Sequence, residues 1–371
     1  MNKADVSFGA WYSESGAEND VILSTRVRLA RNLVNFPFPA QYKQDDSVKV
    51  QSLVFDAFLS TAVEGFQTLP ISGLEPMGQN ILIERGVIEP QITKTKDAGL
   101  VVSSDGKTTC LVNYYDHLRI ASFASGCDPN MAYSLAKSID DKLQETLQFA
   151  ASVEFGYLTA SLNDTGTGMK VSVAVHLPSL GVVDGLEELF KSFSKKSIAV
   201  RASYGPGNQT HTINGSAAAL GNYYLVSTGT AIPLKEEDQL SLLKDAAEQA
   251  LEYERKARKT VISKMETSLK DSVFRAYSQV LYCRLMDERE AIDVVSRLKW
   301  GCDCGLLQGL SSADFCSLLY RLRSAHLAFV NKSGALNFEP DIKTEEQKVR
   351  RLRSLVLQEA CEPLTIVQTE K

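Results

Sequence analysis

The sequence predicts an α+β protein in which an antiparallel-rich sheet covered by helices occupies residues 1–232 and an all-α C-terminal domain occupies 233–371. Three observations carry that expectation. Short β-branched runs separated by turn residues recur along the first part of the chain, which is the patterning of strands in one mixed or antiparallel sheet. After Pro233 that patterning stops and long helical periodicities replace it. A chain of 371 residues with 44% hydrophobic content can fill two cores.

Composition narrows the function classes. Forty basic residues against forty-five acidic ones leave a net charge of −5, so no global field favours nucleic acid or an anionic membrane, and any anion site must be local. The start, MNKADVSFGAWYSESG, has no apolar core behind a basic end, and no apolar run approaches the roughly 18 residues of a membrane span. A cytoplasmic protein is expected. Seven scattered cysteines argue for reduced thiols rather than a disulfide framework. Cys302 and Cys304 form a CxC pair without a second pair of ligands at suitable spacing, so they are read as small packed residues.

Val21-Ile22-Leu23 begins a strand that continues into Ser24-Thr25-Arg26-Val27-Arg28 and on to Arg31-Asn32. Alternation puts Arg26 and Arg28 on one face, where two guanidiniums repel unless an anion lies between them. On spacing alone, a solvated basic edge fits equally well. Val48, Leu53, Val54, Phe55, Phe58 and Ala62 give a loosely patterned amphipathic helix over Ser47 to Gly65. Ile81-Leu82-Ile83, Gly99 to Ser103 and Thr109 to Val112 read as three strands, with a turn at Ser104-Asp105-Gly106. The last runs into Asn113-Tyr114-Tyr115-Asp116-His117-Leu118-Arg119-Ile120, which also suits a plain turn and an outward-facing strand. Asp128 as N-cap and Pro129 at the first helical position open a helix whose stripe is Met131, Leu135, Ile139, Leu143 and Leu147.

The stretch Glu154 to Pro178 reads as a hairpin. Phe155, Tyr157 and Leu158 lead in, Gly166-Thr167-Gly168 allows tight geometry, and Val171, Val173 and Val175 alternate with Ser172, Ala174 and His176. A GTG triplet joins ordinary strands more often than it binds phosphate. Leu186, Leu189, Phe190 and Phe193 mark a second sheet-covering helix, and Ile198 to Ala202 returns to the sheet before a loop over 206–219. From Glu236 the chain is helical, with helices expected at 287–298, 312–330 and 344–359.

Four stretches together resemble the phosphagen (guanidino) kinase family, most closely the bacterial protein arginine kinases. They are STRVRLARN, NYYDHLRI, the GYLTAS–GTG–SVAVHLP hairpin, and VRASYG followed by LGN. SVFRAYSQVLYCR and DVVSRLKWGCDCGLL resemble the C-terminal domain of the arginine kinases. The resemblance implies a phosphagen-kinase-like catalytic domain, ATP with Mg2+, and phosphoryl transfer to protein arginine side chains. It assigns nucleotide binding to Arg26, Arg28, Arg119, Lys170 and Arg201, with Ser24 and His117. Lys170 stands where the family usually has another arginine, which keeps the charge and loses the fork. It also implies a homodimer made by the C-terminal domain, protein substrates or a regulatory partner, a zinc-binding activator and a Clp-type unfoldase.

The departures fall on the acceptor side. The family pattern N-E-E-D-H is interrupted by Tyr114 and Tyr115, and the second of those glutamates grips the substrate. The glutamate after Y-G is Pro206, and the family cysteine is Ser161. Tyr115, Pro206 and Ser161 therefore occupy catalytic positions beside Arg119 without supplying a carboxylate or a thiolate. The expectation is impaired chemistry; the alternative is an inactive pseudokinase that serves as a nucleotide-binding or scaffold dimer. Asp164 and Glu154 are carboxylates close in sequence, read as a turn-forming Asp and a solvated Glu. In the family a motif R-D-x-x-R-A lines a phosphoarginine pocket; of Gln347 to Leu352 here, only Arg350 fits.

Overall fold

The computed structural model describes residues 11–43, 45–60, 65–204, 219–228, 235–334 and 336–368. The elements in chain order are β1 (Ile22–Arg31), α1 (Asp46–Ser60), β2 (Phe66–Pro70), α2 (Pro76–Glu84), β3 (Gly99–Ser103), β4 (Thr108–Val112), β5 (Leu118–Ser125) and α3 (Pro129–Gln144). The short β6 (Ala151–Ser152) and β7 (Gly156–Tyr157) precede β8 (Met169–His176), α4 (Pro178–Val182), α5 (Leu186–Lys195), β9 (Ile198–Ala202) and β10 (Tyr223–Thr228). Then come α6 (Glu236–Lys264), α7 (Glu266–Tyr282), α8 (Glu288–Asp303), β11 (Leu307–Gln308), α9 (Ser312–Arg321), α10 (Ser324–Ser333), α11 (Glu345–Ala360) and β12 (Thr365–Ile366). No helix among the described residues is long and apolar enough to cross a membrane.

The chain divides into two compact units. The first comprises the described parts of Met1–Gly16, Ser24–Val173 and Ser227–Asp245; the second comprises Ala17–Leu23, Ala174–Val226 and Ala246–Lys371. The boundary expected between 232 and 233 falls within 229–234, outside the described residues.

In the first unit the strand order is β2-β3-β4-β5-β1-β8. The pairs from β2 through β1 are antiparallel, and the Ala30 amide donates to Gly168 O where β8 begins. Helix α3 lies against β5 and α1 against β2 and β4. Asp128 caps α3 through the Met131 amide, with Pro129 following, as its sequence predicts. The buried stripe differs from the expected one: Ala132, Ala136, Ile139 and Leu143 face inward while Met131 is half exposed. Alanines let the helix sit close to the sheet, so the larger side chains move to its flanks. Likewise α1 buries Val50, Val54, Ala57 and Phe58 and leaves Val48 and Leu53 outside.

Ile81-Leu82-Ile83, expected as a strand, lies in α2. Three apolar residues carry no period of their own, and the flanking Pro76 at the helix start and Gly86 (φ 68) at its end decide the outcome. Leu82 and Ile83 then pack on a small cluster of Ile71, Ile88, Ile92, Leu100, Leu111 and Tyr114.

In the second unit the C-terminal end of β8 is followed by β10 and β9 in the strand order. Helices α7 to α9 and α11 enclose a core that includes Val273, Val295, Leu298, Phe315 and Leu357. The helix expected over 312–330 is two helices, α9 and α10. Arg353 Nε donates to Leu322 O, and a Glu288 carboxylate oxygen accepts from the Ser324 amide, so buried partners satisfy the backbone at the break.

Candidate active site

The site begins with strand register. Across β1 and β5, Arg26 pairs with Phe123, Arg28 with Ala121 and Ala30 with Arg119. Directly paired residues share a face, so Arg26, Arg28 and Arg119 project from one side of the sheet. The same face continues through Leu111 and Leu100 into the apolar cluster under α2. Val27 and Leu29, on the opposite face, are fully buried.

The three cations feel one another. Burial first, then the charges of Arg119 and Arg26, push the Arg28 guanidinium down to about 9, against the pull of Asp164 and Glu89. Arg28 remains charged at neutral pH and sits 3.6 Å from Asp164 Oδ2. Arg119 is 7% exposed, and its Nε has no hydrogen-bond partner among the described residues. Its guanidinium lies 5.6 Å from the Tyr114 ring centre and 5.2 Å from that of Tyr115. Arg26 lies 5.1 Å from the Phe123 ring centre, and Phe123 stacks on Trp11 at 5.0 Å. A buried cation with an unused donor beside two more cations is an anion site by electrostatics.

The Asn113–Arg119 stretch is rigid for identifiable reasons. Asn113 adopts φ 55, and its Nδ2 donates to Ser47 O and Asp97 O. Asp116 accepts from Asn32 Nδ2 and from the Ala160 amide, tying this turn to β1's exit and to the segment after β7. His117 Nδ1 accepts from the Leu33 amide, so Nε2 carries the proton and donates to Pro37 O. Tyr42 stacks on the ring, and burial lowers the imidazole pKa. With both nitrogens committed to backbone, His117 builds the wall behind the arginines and offers no donor to a nucleotide.

The sequence reading passed over Arg31. It points to the other face, where Nε lies 2.8 Å from Asp140 Oδ1 and Nη2 donates to Asp140 Oδ2 at 2.9 Å. Nη1 donates to Ala30 O and Thr167 O, and the guanidinium stacks 3.6 Å from the Tyr157 ring centre. One side chain thus ties β1, α3, β7 and the GTG turn together. Gly168 (φ 64) has no room for a side chain, since a Cβ there would meet Ala30 O and Arg31 Nη1 at 2.5 Å each. Gln239 on α6 donates to Thr167 Oγ1, holding the same turn from its other side.

Ser161 heads the loop before that turn, where its carbonyl accepts from the Asp164 and Thr165 amides and from Thr159 Oγ1. Lys170 and Ser24 are partly buried on β8 and β1. Tyr115 is 53% exposed. Arg201 belongs to the second unit, on β9, where it is exposed and follows the inward Val200. Pro206 and the 206–218 part of the loop lie outside the described residues. Of the residues expected to bind a nucleotide, the first unit brings Arg26, Arg28 and Arg119 together. In the stretch compared with the phosphoarginine motif, Arg351 is engaged by Glu339, with Nε donating to Oε1 at 2.9 Å.

The chain carrying this sheet face belongs to the guanidino phosphotransferase family. Residues 49–257 match the family described as ATP:guanido phosphotransferase, C-terminal catalytic domain. Residues 266–362 match the protein-arginine kinase McsB C-terminal domain. Among curated relatives, the chain is 32% identical over 353 residues to the protein-arginine kinase of Desulforamulus reducens, covering 94% of this chain and 96% of the relative. It is 30% identical to that of Halothermothrix orenii, covering 92% and 96%. Among solved structures, the duplicated taurocyamine kinase from Schistosoma mansoni superposes with a TM-score of 0.57 at 18% identity, over 75% of this chain and 41% of that one. A lombricine kinase gives 0.55 at 18% identity, over 66% and 70%. These two show the fold.

Proposed function

We propose that this chain is an ATP-dependent kinase of protein arginine side chains in which the nucleotide half of the site is intact in charge and the acceptor half limits the rate. The convergence of Arg26, Arg28 and Arg119 on one sheet face carries the reading. These guanidiniums would hold the polyphosphate; Arg119 Nε, buried and unused, would turn to an equatorial phosphate oxygen. Magnesium, when bound with the nucleotide, supplies charge neutralisation between adjacent phosphates. Lys170, on β8 of the same unit, would add charge to the same polyphosphate.

On the acceptor side, Tyr115 and Ser161 stand where the family places a carboxylate and a thiolate. An unperturbed phenol, with a pKa near about 10, is a poor base at neutral pH. Loss of a general base typically lowers a rate by about 10²–10⁴. Those same substitutions favour the second reading, a nucleotide-binding pseudokinase. Homodimerisation and capture of a protein substrate or regulatory partner belong to the proposal in both cases. Measuring ATP affinity and phosphoarginine formation on one purified sample separates the two. ATP binding with slow transfer supports the kinase, binding with no transfer supports the pseudokinase, and absence of ATP binding removes both.

A further inference from the structure

Glu89 is a carboxylate that the sequence reading did not single out. It directly precedes the short 3-10 turn Pro90–Lys94 and is exposed. Its Oε2 accepts from Tyr114 Oη at 2.9 Å, which fixes the carboxylate from one side and leaves Oε1 without a hydrogen bond among the described residues. Tyr114 is the residue whose ring flanks Arg119, so its hydroxyl aims Glu89 toward the arginine face. Asp164 approaches the same face from the loop after Ser161 and stands 3.6 Å from Arg28. The charges of Asp164 and Glu89 both act on Arg28.

Two carboxylates delivered to one cation cluster from separate segments are what a guanidinium acceptor requires. A planar cation approaching three arginines is repelled, and it needs anionic contacts on two of its edges to be both admitted and oriented. The exposed Tyr115 ring, 4.2 Å from that of Tyr114, adds an aromatic face over which such a cation can lie.

We propose that Glu89, together with Asp164, grips the guanidinium of the acceptor arginine, and that Glu89 Oε1 takes its proton, so that relocated carboxylates replace those missing from the family positions. This rests on the kinase reading above. In the step, the bond between the terminal phosphorus and the bridging oxygen breaks and its electron pair leaves with ADP. A P–N bond forms on an ω-nitrogen of the acceptor, and the proton from that nitrogen passes to Oε1. The competing role for Glu89 is mere neutralisation of the arginine cluster. Its signature is opposite: removing a neutraliser tightens anion binding and leaves the acceptor untouched.

The test uses the full-length protein with MgATP and an arginine-containing peptide, reading peptide affinity by calorimetry as well as transfer. Glu89→Gln keeps an acceptor for Tyr114 Oη and so preserves the fold. It should weaken peptide binding by about tenfold, consistent with the loss of one charged hydrogen bond. It should also lower kcat by about 10²-fold or more, while ATP affinity stays level or rises. Tyr114→Phe, which frees the carboxylate without removing it, should give a smaller loss of the same kind. The proposal is overturned by a Glu89→Gln protein with unchanged peptide affinity and transfer, and equally by wild-type protein that does not bind the peptide. Neither result touches the nucleotide half; failure to bind ATP would instead strike the kinase reading and with it the proton transfer, while a Glu89-dependent peptide affinity would leave the grip on the guanidinium standing.

Discussion

Arg28 and Arg31 lie three residues apart on one strand and live in opposite electrostatic worlds. Arg28 shares its face with Arg26 and Arg119 and, among the described residues, has one carboxylate partner at 3.6 Å. Arg31, fully buried, has a carboxylate, two carbonyls and an aromatic ring arranged around it. On the first face Arg119 keeps an Nε without a hydrogen bond among the described residues, and the other face holds a cation whose contacts knit the fold. The difference teaches that charge count alone does not mark a site: the informative cation is the one the protein leaves under-satisfied.

The largest test of that contrast is stability. Arg31→Leu strands the buried Asp140 and should cost about 3–5 kcal/mol, whereas Arg28→Leu removes one long, partly buried ion pair together with repulsion from Arg26 and Arg119 and should cost less, about 1 kcal/mol. Urea denaturation of both variants decides it, and equal losses would erase the distinction. Nucleotide affinity should invert the order. Arg119→Ala should weaken ATP binding by about 10- to 150-fold, the worth of a charged hydrogen bond, and raising salt should weaken the wild-type protein in the same direction. An Arg119→Ala protein that binds ATP as well as wild type would remove the anion site.

Gly168→Ala sharpens the comparison from the Arg31 side. A residue with a Cβ at φ 64 pressed against Ala30 O and Arg31 Nη1 should cost about 1–3 kcal/mol, with ATP affinity changing only as far as the turn shifts. Thermal unfolding with and without ATP separates the two effects.

The smallest expected effect concerns pH, in the second unit. His176 is buried, donates from Nε2 to Ser296 Oγ, and is held well below its usual pKa by burial and by Lys299 and Arg258. The folded protein therefore leaves it neutral while the unfolded chain takes up a proton, so stability is lost as pH falls below 6.5. Glu254 accepts from the Ser179 and Leu180 amides, and burial pushes its carboxyl up to about 7. Its contribution is present below 4.5 and is lost as pH rises toward 7, the opposite slope. Glu254→Gln should therefore steepen the loss of stability between pH 6.5 and 4.5, as read from urea midpoints across that window. A flatter profile in the variant would reverse the assignment.

How much of this was written in the sequence depends on range. The period of two along β1 put Arg26 and Arg28 on one face without any knowledge of neighbours. Arg31 escaped because its partner Asp140 is 109 residues away and sits mid-helix, where a charged residue looks solvated. In the sequence Asp164 reads as a turn residue, and only the folded position of the 161–165 loop brings it to Arg28. Glu89 had no motif at all. The resemblance alone assigns His117 to the nucleotide, and the backbone of 33–37 engages both its nitrogens. The apolar run at 81–83 failed for a different reason, since three residues cannot express a period and helix-end chemistry outside the run decided its state.

The Trp11–Phe123–Arg26 stack turns the protein into its own optical sensor. Indole emission responds to nearby charge, and Trp11 lies one aromatic ring away from a cation of the arginine face. The chain has two tryptophans; Trp300 belongs to the second unit, with its Nε1 bonded to Ser179 Oγ. A Trp300→Phe protein would therefore carry a single indole, placed so that, with selective excitation, filling the arginine face with polyphosphate should shift its light without any attached dye.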